Sequence, residues 1–273
     1  MPLDVAAEVI ANHPLSADFN ELTLAAPAIA EHAAPGQFVM VKANSGHDPL
    51  LRRPFSVFRI LRSRDGTATG LSIFNKRIGA ATRLLYAAKP GQTVACLGPL
   101  GRPWPVVDAA APVEACLVAG GVGLAAFAVL AEALAARRVK TTLFYGARTG
   151  AELFYLDFFR QRGVALALTT EDGSAAERGR VIAPLERYLA GRESAAAVYA
   201  CGPEPMMAAV AAIAARFHCR CHVSLERIMG CGLGGCYSCV VPVRGESGAF
   251  HHVRSCIAGP VMAGEEVLWR LET

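Results

Sequence analysis

Four cysteines near the C-terminus carry the clearest chemistry in the chain: Cys231-Gly-Leu-Gly-Gly-Cys236-Tyr-Ser-Cys239, followed by Cys256. The first three have the C-x4-C-x2-C spacing of plant-type [2Fe–2S] sites. Two irons need four thiolates converging from one tight loop. Gly232, Gly234 and Gly235 let the backbone turn sharply and bring amide N–H groups near the sulfurs. Four cysteines also suit a structural zinc, although zinc ligands usually come as paired C-x2-C units. His251-His252 could supply Rieske-type ligands beside Cys256; exposed strand histidines are the simpler reading.

The other five cysteines are scattered (Cys96, Cys116, Cys201, Cys219, Cys221), giving an odd total of nine. An odd count without a basic, apolar leader argues against a disulfide framework and for a reducing compartment, so the expected location is the cytoplasm. Cys219 and Cys221 flank Arg220 and are expected to pack in a strand.

Several shorter motifs suit phosphates and rings. Arg53-Pro54-Phe55-Ser56 pairs a guanidinium and a hydroxyl, fit for a pyrophosphate, with an aromatic ring; the tetrapeptide also reads as an ordinary edge strand. Gly79-Ala80-Ala81-Thr82 opens a helix, whose free N–H groups attract anions. Gly98-Pro99-Leu100-Gly101 reads as a turn. Gly120-Gly121-Val122-Gly123 lies between a strand and a helix, a context for pyrophosphate binding, though not in G-x-G-x-x-G spacing. Cys201-Gly202-Pro203-Glu204-Pro205-Met206-Met207 falls at a later strand end, where open α/β sheets bind ligands. Tyr145-Gly146-Ala147-Arg148 and Thr170-Glu171-Asp172-Gly173 follow two more strand ends. Arg148 alone does not settle NAD against NADP.

The elements that must position these groups change character along the 273 residues. Val5–Ile10, Phe19–Leu24, Gln37–Val41, Pro54–Ile60, Leu71–Phe74 and Gln92–Leu97 are β-rich runs, with a helix expected over Ala80–Ala88. Such spacing implies an antiparallel barrel or sandwich. Beyond Pro103–Pro112, strands at Glu114–Ala119, Thr141–Tyr145, Val164–Leu168 and Ala196–Ala200 alternate with helices, the first from after Gly123 to about Arg138 and the others at Glu152–Gln161, Val181–Leu189 and Glu204–Phe217. Alternation of this kind means a doubly wound parallel sheet. The aromatics Phe154, Tyr155, Phe158 and Phe159 read most simply as core. Short strands at Val240–Val243 and His251–Arg254 hold too little apolar surface to fold alone. The expected units are 1–105, 106–225 and 226–273.

Composition excludes other classes. The chain is 53% hydrophobic and 18% charged, with a net charge of +4. No basic run is interleaved with aromatics, so nucleic acid is not indicated. Glycines and Glu132 interrupt the apolar stretches before they reach bilayer length, so no membrane insertion is expected.

Taken in order, Arg53-Pro54-Phe55-Ser56, Gly79-x-x-Thr82, Gly98-Pro99-Leu100-Gly101, Gly120-Gly121-Val122-Gly123 and Cys201–Met207 resemble the ferredoxin–NADP reductase superfamily. With Ser224-Leu225-Glu226-Arg227 and the cysteine tail, nearly the whole chain resembles the electron-transfer subunits of NAD-dependent (class 1B) dihydroorotate dehydrogenase. The resemblance implies a six-stranded FAD-binding barrel, with Arg53 and Ser56 near the flavin pyrophosphate and Pro54-Phe55 alongside the flavin. Phe74, Asn75, Lys76, Ala81 and Thr82 would complete that site. It implies a nicotinamide-dinucleotide domain, with Gly120, Gly121 and Gly123 at the pyrophosphate and Cys201 and Gly202 near the nicotinamide. Cys231, Cys236, Cys239 and Cys256 would ligate the cluster, and the partner would be an FMN-bearing catalytic subunit in a heterotetramer. Phe55, Lys76, Ala81 and Ala126 stand where the family commonly has Ile, Arg, Gly and Pro.

A flavin joins two-electron to one-electron chemistry, so the implied route links NAD(H), flavin, cluster and partner. Related NAD(P)H diaphorase subunits serve other complexes of ferredoxin reductase, sulfide dehydrogenase or sulfite reductase type, and this alternative stays open. A zinc-stabilised module without catalysis is a further one. A self-contained oxygenase reductase is disfavoured: only 43 residues follow Gly230, and just sixteen separate Cys239 from Cys256.

Overall fold

A computed structural model describes residues 1–108, 113–192, 194–245 and 249–269. The end of the expected boundary stretch, residues 109–112, lies outside the described residues.

The first unit is a curled antiparallel sheet of β1 (Leu3–Pro14), β2 (Phe19–Ala25), β3 (Phe38–Lys42), β4 (Arg53–Ser56), β5 (Arg59–Arg62), β6 (Ala68–Lys76) and β7 (Thr93–Leu100), with α1 (Pro27–His32) and α2 (Ala80–Ala87). The strand order is β4-β3-β7-β1-β2-β6-β5. Its two ends are successive strands separated only by Val57 and Phe58, whose amides donate to Gln37 O (3.0 Å) and Ser72 O (2.9 Å). The sheet therefore closes through one bent strand, giving the expected six-stranded barrel when β4 and β5 are counted together. Alternate side chains fill its interior, among them Val9, Leu22, Leu24, Val39, Val41, Leu71 and Ile73, and α1 plugs it with Ile29 and Ala30. The sequence reading had no helix at α1; six residues are too few to show a helical period, and Pro27 is its only start signal.

The second unit runs β8 (Val113–Gly120), a 3₁₀ segment (Gly121–Phe127), α3 (Ala128–Ala136), β9 (Thr141–Ala147), a 3₁₀ turn (Gly150–Glu152), α4 (Leu156–Arg160), β10 (Ala165–Thr170), β11 (Glu177–Arg178), α5 (Ile182–Ala190), β12 (Ala195–Cys201), α6 (Glu204–Arg216) and β13 (Arg220–Ser224). The order β11-β10-β9-β8-β12-β13 is parallel throughout. Strand β8 is apolar on both faces because both are covered. Cys116 and Val118 meet α5 and α6, while Ala115, Leu117 and Ala119 meet α3 and α4.

One expected helix divides. Glu152–Gln161 becomes the 3₁₀ turn and α4, with Tyr155 at φ 58° between them. Phe154 and Tyr155 leave helical spacing to pack on barrel residues Phe19, Phe58 and Phe74, with ring centroids 4.7–5.9 Å apart. The Tyr155 hydroxyl also donates to Glu21 at 2.8 Å. These aromatics are core, as expected, but of the seam between the two units.

The tail contributes β14 (Val240–Arg244), β15 (Phe250–Arg254), α7 (Ser255–Ala258) and β16 (Val261–Ala263). Strand β16 adds antiparallel to β13, and Val241, Val243 and Met262 join the core beneath α6. The tail thus shares its apolar surface with the parallel sheet.

Trp104 locks the seam. It is buried, stacks on Phe127 with a centroid distance of 5.7 Å, and donates Nε1–H to Ala126 O at 2.9 Å. Trp104→Ala is expected to cost about 3–5 kcal/mol, read as a lower denaturant midpoint for the whole chain. A loss below about 1 kcal/mol would show that the seam repacks without it.

Candidate functional site

A cleft of about 780 Å³ opens between the barrel and the carboxyl ends of the parallel strands. Its barrel wall is Arg53, Pro54, Phe55 and Ser56 of β4, Phe74 and Lys76 of β6, and Gly79–Thr82 at the start of α2. Facing them are Val122, Ala125 and Cys201 of the second unit, and Ser224–Met229 leading to the thiol loop. Nine residues singled out in the sequence therefore share one cavity: Arg53, Pro54, Phe55, Ser56, Phe74, Lys76, Ala81, Thr82 and Cys201. Arg53 is held by donation to Leu51 O (2.9 Å) and Arg52 O (3.1 Å).

Asn75 lies beneath the cleft rather than in its lining. It is fully buried and donates Nδ2–H to Asn20 Oδ1 (2.7 Å) and Thr82 O (3.0 Å). Asn20 in turn donates to Asn12 Oδ1 (2.7 Å), and Asn12 caps the carbonyls of Tyr86 and Ala88. This amide chain fixes α2 from its first turn to its last. Thr82 Oγ1 accepts from the amides of Ile78 and Gly79, both at 2.9 Å, which sets the turn entering the helix. The resulting helix start faces the cleft, a ready place for anionic oxygens.

The glycines sit behind the cleft, where β8 and β12 end. A Cβ on Gly123 would lie 2.2 Å from the carbonyl oxygen of Cys201. One on Gly202 would approach the Gly120 amide at 3.0 Å, and Gly202 has φ +152° besides. The two strand ends touch because neither carries a side chain there. Gly121 takes φ +54° with open space around it, so its backbone is accessible. The segment after Gly120 is 3₁₀ through Phe127 and becomes α only at Ala128, one turn and more later than the sequence reading placed the helix.

Sequence reasoning missed Glu226 as a site residue, having taken Ser224–Arg227 only as a family marker. Its side chain is exposed on the cleft wall; desolvation by the protein around the carboxyl raises its pKa, and the Lys76 charge opposes that rise. Cys201 is buried, and burial pushes its thiol up, so it stays neutral.

In the thiol loop, Gly232 and Gly234 have φ +73° and +82°. A Cβ on Gly232 would meet Met40 at 2.6 Å, so the loop lies directly on the barrel. The four thiols lie near enough to act on one another. Cys236, hydrogen-bonded first to Ser238 (Oγ at 3.1 Å from Sγ) and also to Cys231, is lowered to about 6. Cys256 is raised to about 12 by burial and by its neighbour Cys239. Among the described residues no three His, Cys, Asp or Glu side chains gather on one point. Four thiols, three on one glycine-rich loop and the fourth on the short helix beside it, make the ligand set that a two-iron cluster takes. The amide of Leu233 donates to Cys231 Sγ at 3.3 Å, as the glycine-rich loop was expected to allow. His251 and His252 are exposed on β15. Cys239 and Cys256 pack with Phe38, Met40, Leu97, Leu100 and Met229. Phe38 and Met229 also line the cleft.

Residues 226–268 match the family model "Iron-sulfur cluster binding domain of dihydroorotate dehydrogenase B", and 117–212 match "Oxidoreductase NAD-binding domain". The chain is 42% identical over 250 residues to the dihydroorotate dehydrogenase B (NAD(+)) electron transfer subunit of Geobacillus kaustophilus, covering 91% of this chain and 92% of that one. It is 34% identical over 263 residues to the subunit of the same name from Desulforamulus reducens, covering 96% and 97%. The chain belongs to the electron-transfer subunits of dihydroorotate dehydrogenase B. Among solved structures, an NADH-dependent reduced ferredoxin-NADP oxidoreductase chain superposes with a TM-score of 0.82 at 29% identity, covering 97% of this chain and 90% of that one. The family thus brings together on one polypeptide the oxidoreductase NAD-binding domain and the iron–sulfur domain that the sequence motifs indicated.

Thiol environment makes a prediction for the metal-stripped, reduced protein. Cys236 should alkylate with iodoacetamide at a rate that rises through about pH 6 and levels above it, since the thiolate is the nucleophile. Buried Cys96, Cys116 and Cys221, each near 12, should stay unlabelled at neutral pH. Mass mapping that finds these three labelled as fast as Cys236 would contradict the assignment.

Proposed function

We propose that the chain carries electrons from a dihydroorotate-oxidising, FMN-bearing partner to NAD⁺, through a [2Fe–2S] cluster on Cys231, Cys236, Cys239 and Cys256 and an FAD in the 780 Å³ cleft. One observation carries the reading: Phe38 and Met229 are at once a wall of the cleft and the packing of the buried thiols. Flavin supplies the junction between hydride exchange and single-electron transfer.

The chain's own residues bind and orient. Arg53, Ser56 and the α2 start, with Ala81 and Thr82, hold the flavin's phosphates, and Phe55 and Phe74 flank it, with Lys76 alongside. Gly120, Gly121 and Gly123 leave backbone open to the dinucleotide pyrophosphate, while Gly202 and Cys201 form the small wall near the nicotinamide. A neutral thiol there neither gives nor takes a proton at working pH, so hydride exchange needs placement alone. Around the thiol loop, Leu233, Tyr237, Val240 and Ile257 are exposed. That apolar rim suits the catalytic partner in a heterotetramer, with the more exposed Cys231–Cys236 pair turned outward.

Among the described residues no helix is long and apolar enough to cross a membrane. Every cysteine is free, which fits a reducing compartment and supports a cytoplasmic complex. The proposed units remain 1–105 for FAD, 106–225 for the dinucleotide and 226–273 for the cluster.

Co-expression with the catalytic subunit and Cys236→Ser tests the order of carriers. NADH oxidation by an artificial flavin acceptor should persist in the variant, while NAD⁺ reduction by dihydroorotate falls by about two orders of magnitude or more, as when one carrier in a fixed series is removed. Equal loss of both activities would overturn the order. A wild-type complex inert toward dihydroorotate would point instead to a diaphorase serving another oxidoreductase.

A further inference from the structure

Among the described residues, Arg254 is the one charged side chain that hydrogen-bonds into the thiol loop. It ends β15, where it pairs with Val240, and it immediately precedes α7, which carries Cys256. The next residue, Ser255, donates its amide to Cys239 O at 2.9 Å. Two of the candidate ligands, Cys239 and Cys256, therefore fix the backbone from which Arg254 projects. Its Nη1 donates to Gly234 O at 2.7 Å, between Cys231 and Cys236 in the chain.

That contact depends on a glycine. A Cβ on Gly234 would lie 2.9 Å from Ile257 Cγ1 and 3.4 Å from Arg254 Nη1, and its φ is +82°. The Gly234 backbone also bears on Cys256, favouring its thiolate. One residue thus links the guanidinium to a candidate ligand. The cation is covered as well. Tyr237, between Cys236 and Cys239, lies with its ring centroid 4.7 Å from Arg254 Cζ. It does so at φ +56°, a left-handed backbone that a bulky side chain rarely takes, although its ring is largely exposed. A strained residue of this kind persists where its surroundings hold it, and Arg254 is one of the groups that do.

We propose that Arg254 supplies a fixed positive charge to the cluster bound by the loop thiols, closing the loop around it and holding its reduction potential up. The inference rests on the cluster assignment made above. Net charge, hydrogen bonding and exposure are the protein's means of setting such a potential. A cluster on four thiolates is anionic and gains a further negative charge on reduction, so a neighbouring cation favours the reduced form. Arg254 is half-buried, bonded to a carbonyl and partly roofed by a ring, and is screened less than a free surface cation. It makes the site a better acceptor of single electrons from the partner.

The test is a redox titration of the assembled complex followed by electron paramagnetic resonance, with iron and sulfide measured per chain beforehand. Arg254→Gln should lower the midpoint so that the reduced:oxidised ratio, read at the wild-type midpoint, falls about tenfold, which for one electron is about 59 mV. Arg254→Lys keeps the charge and should recover most of that shift, even though an ammonium does not reproduce the flat contact with Tyr237. A midpoint unmoved in Arg254→Gln, or lowered equally by lysine and glutamine, overturns the proposal and leaves Arg254 as a clasp alone. If Arg254→Gln and the apolar Arg254→Met both fail to take up the cluster, Arg254→Lys decides. A loaded lysine variant shows that charge is what the site requires, and an empty one overturns that. A wild-type complex without iron and sulfide refutes the cluster assignment and the proposal with it, whereas an unmoved midpoint in a loaded complex refutes the proposal alone.

Discussion

The arrangement depends on one packed partition, the contact of Phe38 and Met229 between the cleft and the Cys239–Cys256 thiols. Passing electrons between a ring and a metal centre requires the two to be close, fixed and dry, and close packing supplies all three. Phe38 is set by β3, paired on both sides by β4 and β7. Met229 comes from the opposite end of the chain. It is placed because Leu225 N donates to Pro260 O at 2.9 Å and Arg102 N to Gly259 O at 2.6 Å, clamping the tail between barrel and sheet. Strand β16 on the edge of β13 completes the clamp. The tail is too short for a core of its own, and its apolar strands become part of someone else's core, which is what holds the thiol loop at a set depth.

Nine cysteines divide by surroundings rather than by sequence context. Cys96, Cys116 and Cys221 are buried among apolar side chains, and burial pushes each to about 12, so they behave as small hydrophobes. Cys201 is driven up in the same way at the cleft wall. Cys236 goes the other direction because Ser238 and Cys231 stabilise its thiolate. Cys256 is raised to about 12 as well, but beside Cys239 and Cys231 rather than among apolar side chains alone, so what sets the candidate ligands apart is their neighbours and not their depth.

Much of this was legible in the chain because its causes are local. The C-x4-C-x2-C spacing, the glycines of the loop and the strand–glycine–helix order each act over a few residues, and nine of the predicted site residues meet in one cleft. What was not legible depends on distant partners. Nothing near Glu152–Gln161 announces that Phe154 and Tyr155 turn out of the helix to meet Phe19, Phe58 and Phe74, over a hundred residues away for Phe19. Asn75 falls in the right motif, but its task is to tie Asn20 to Thr82 and so aim α2, a role visible only once β2 and β6 are paired. Arg148 is a further case: as a residue type it suggests a phosphate ligand, and only the structure shows it paired with Glu152.

Charge along the cleft is graded accordingly. On the barrel side of the cleft, Arg53, Lys76 and the start of α2 gather positive charge, an arrangement that favours phosphates. Behind Cys201 the glycines present backbone instead of side-chain charge at the strand ends. Beyond β9 and β10 the charges are mixed, with Glu152, Glu171 and Asp172 beside Arg148 and Arg178.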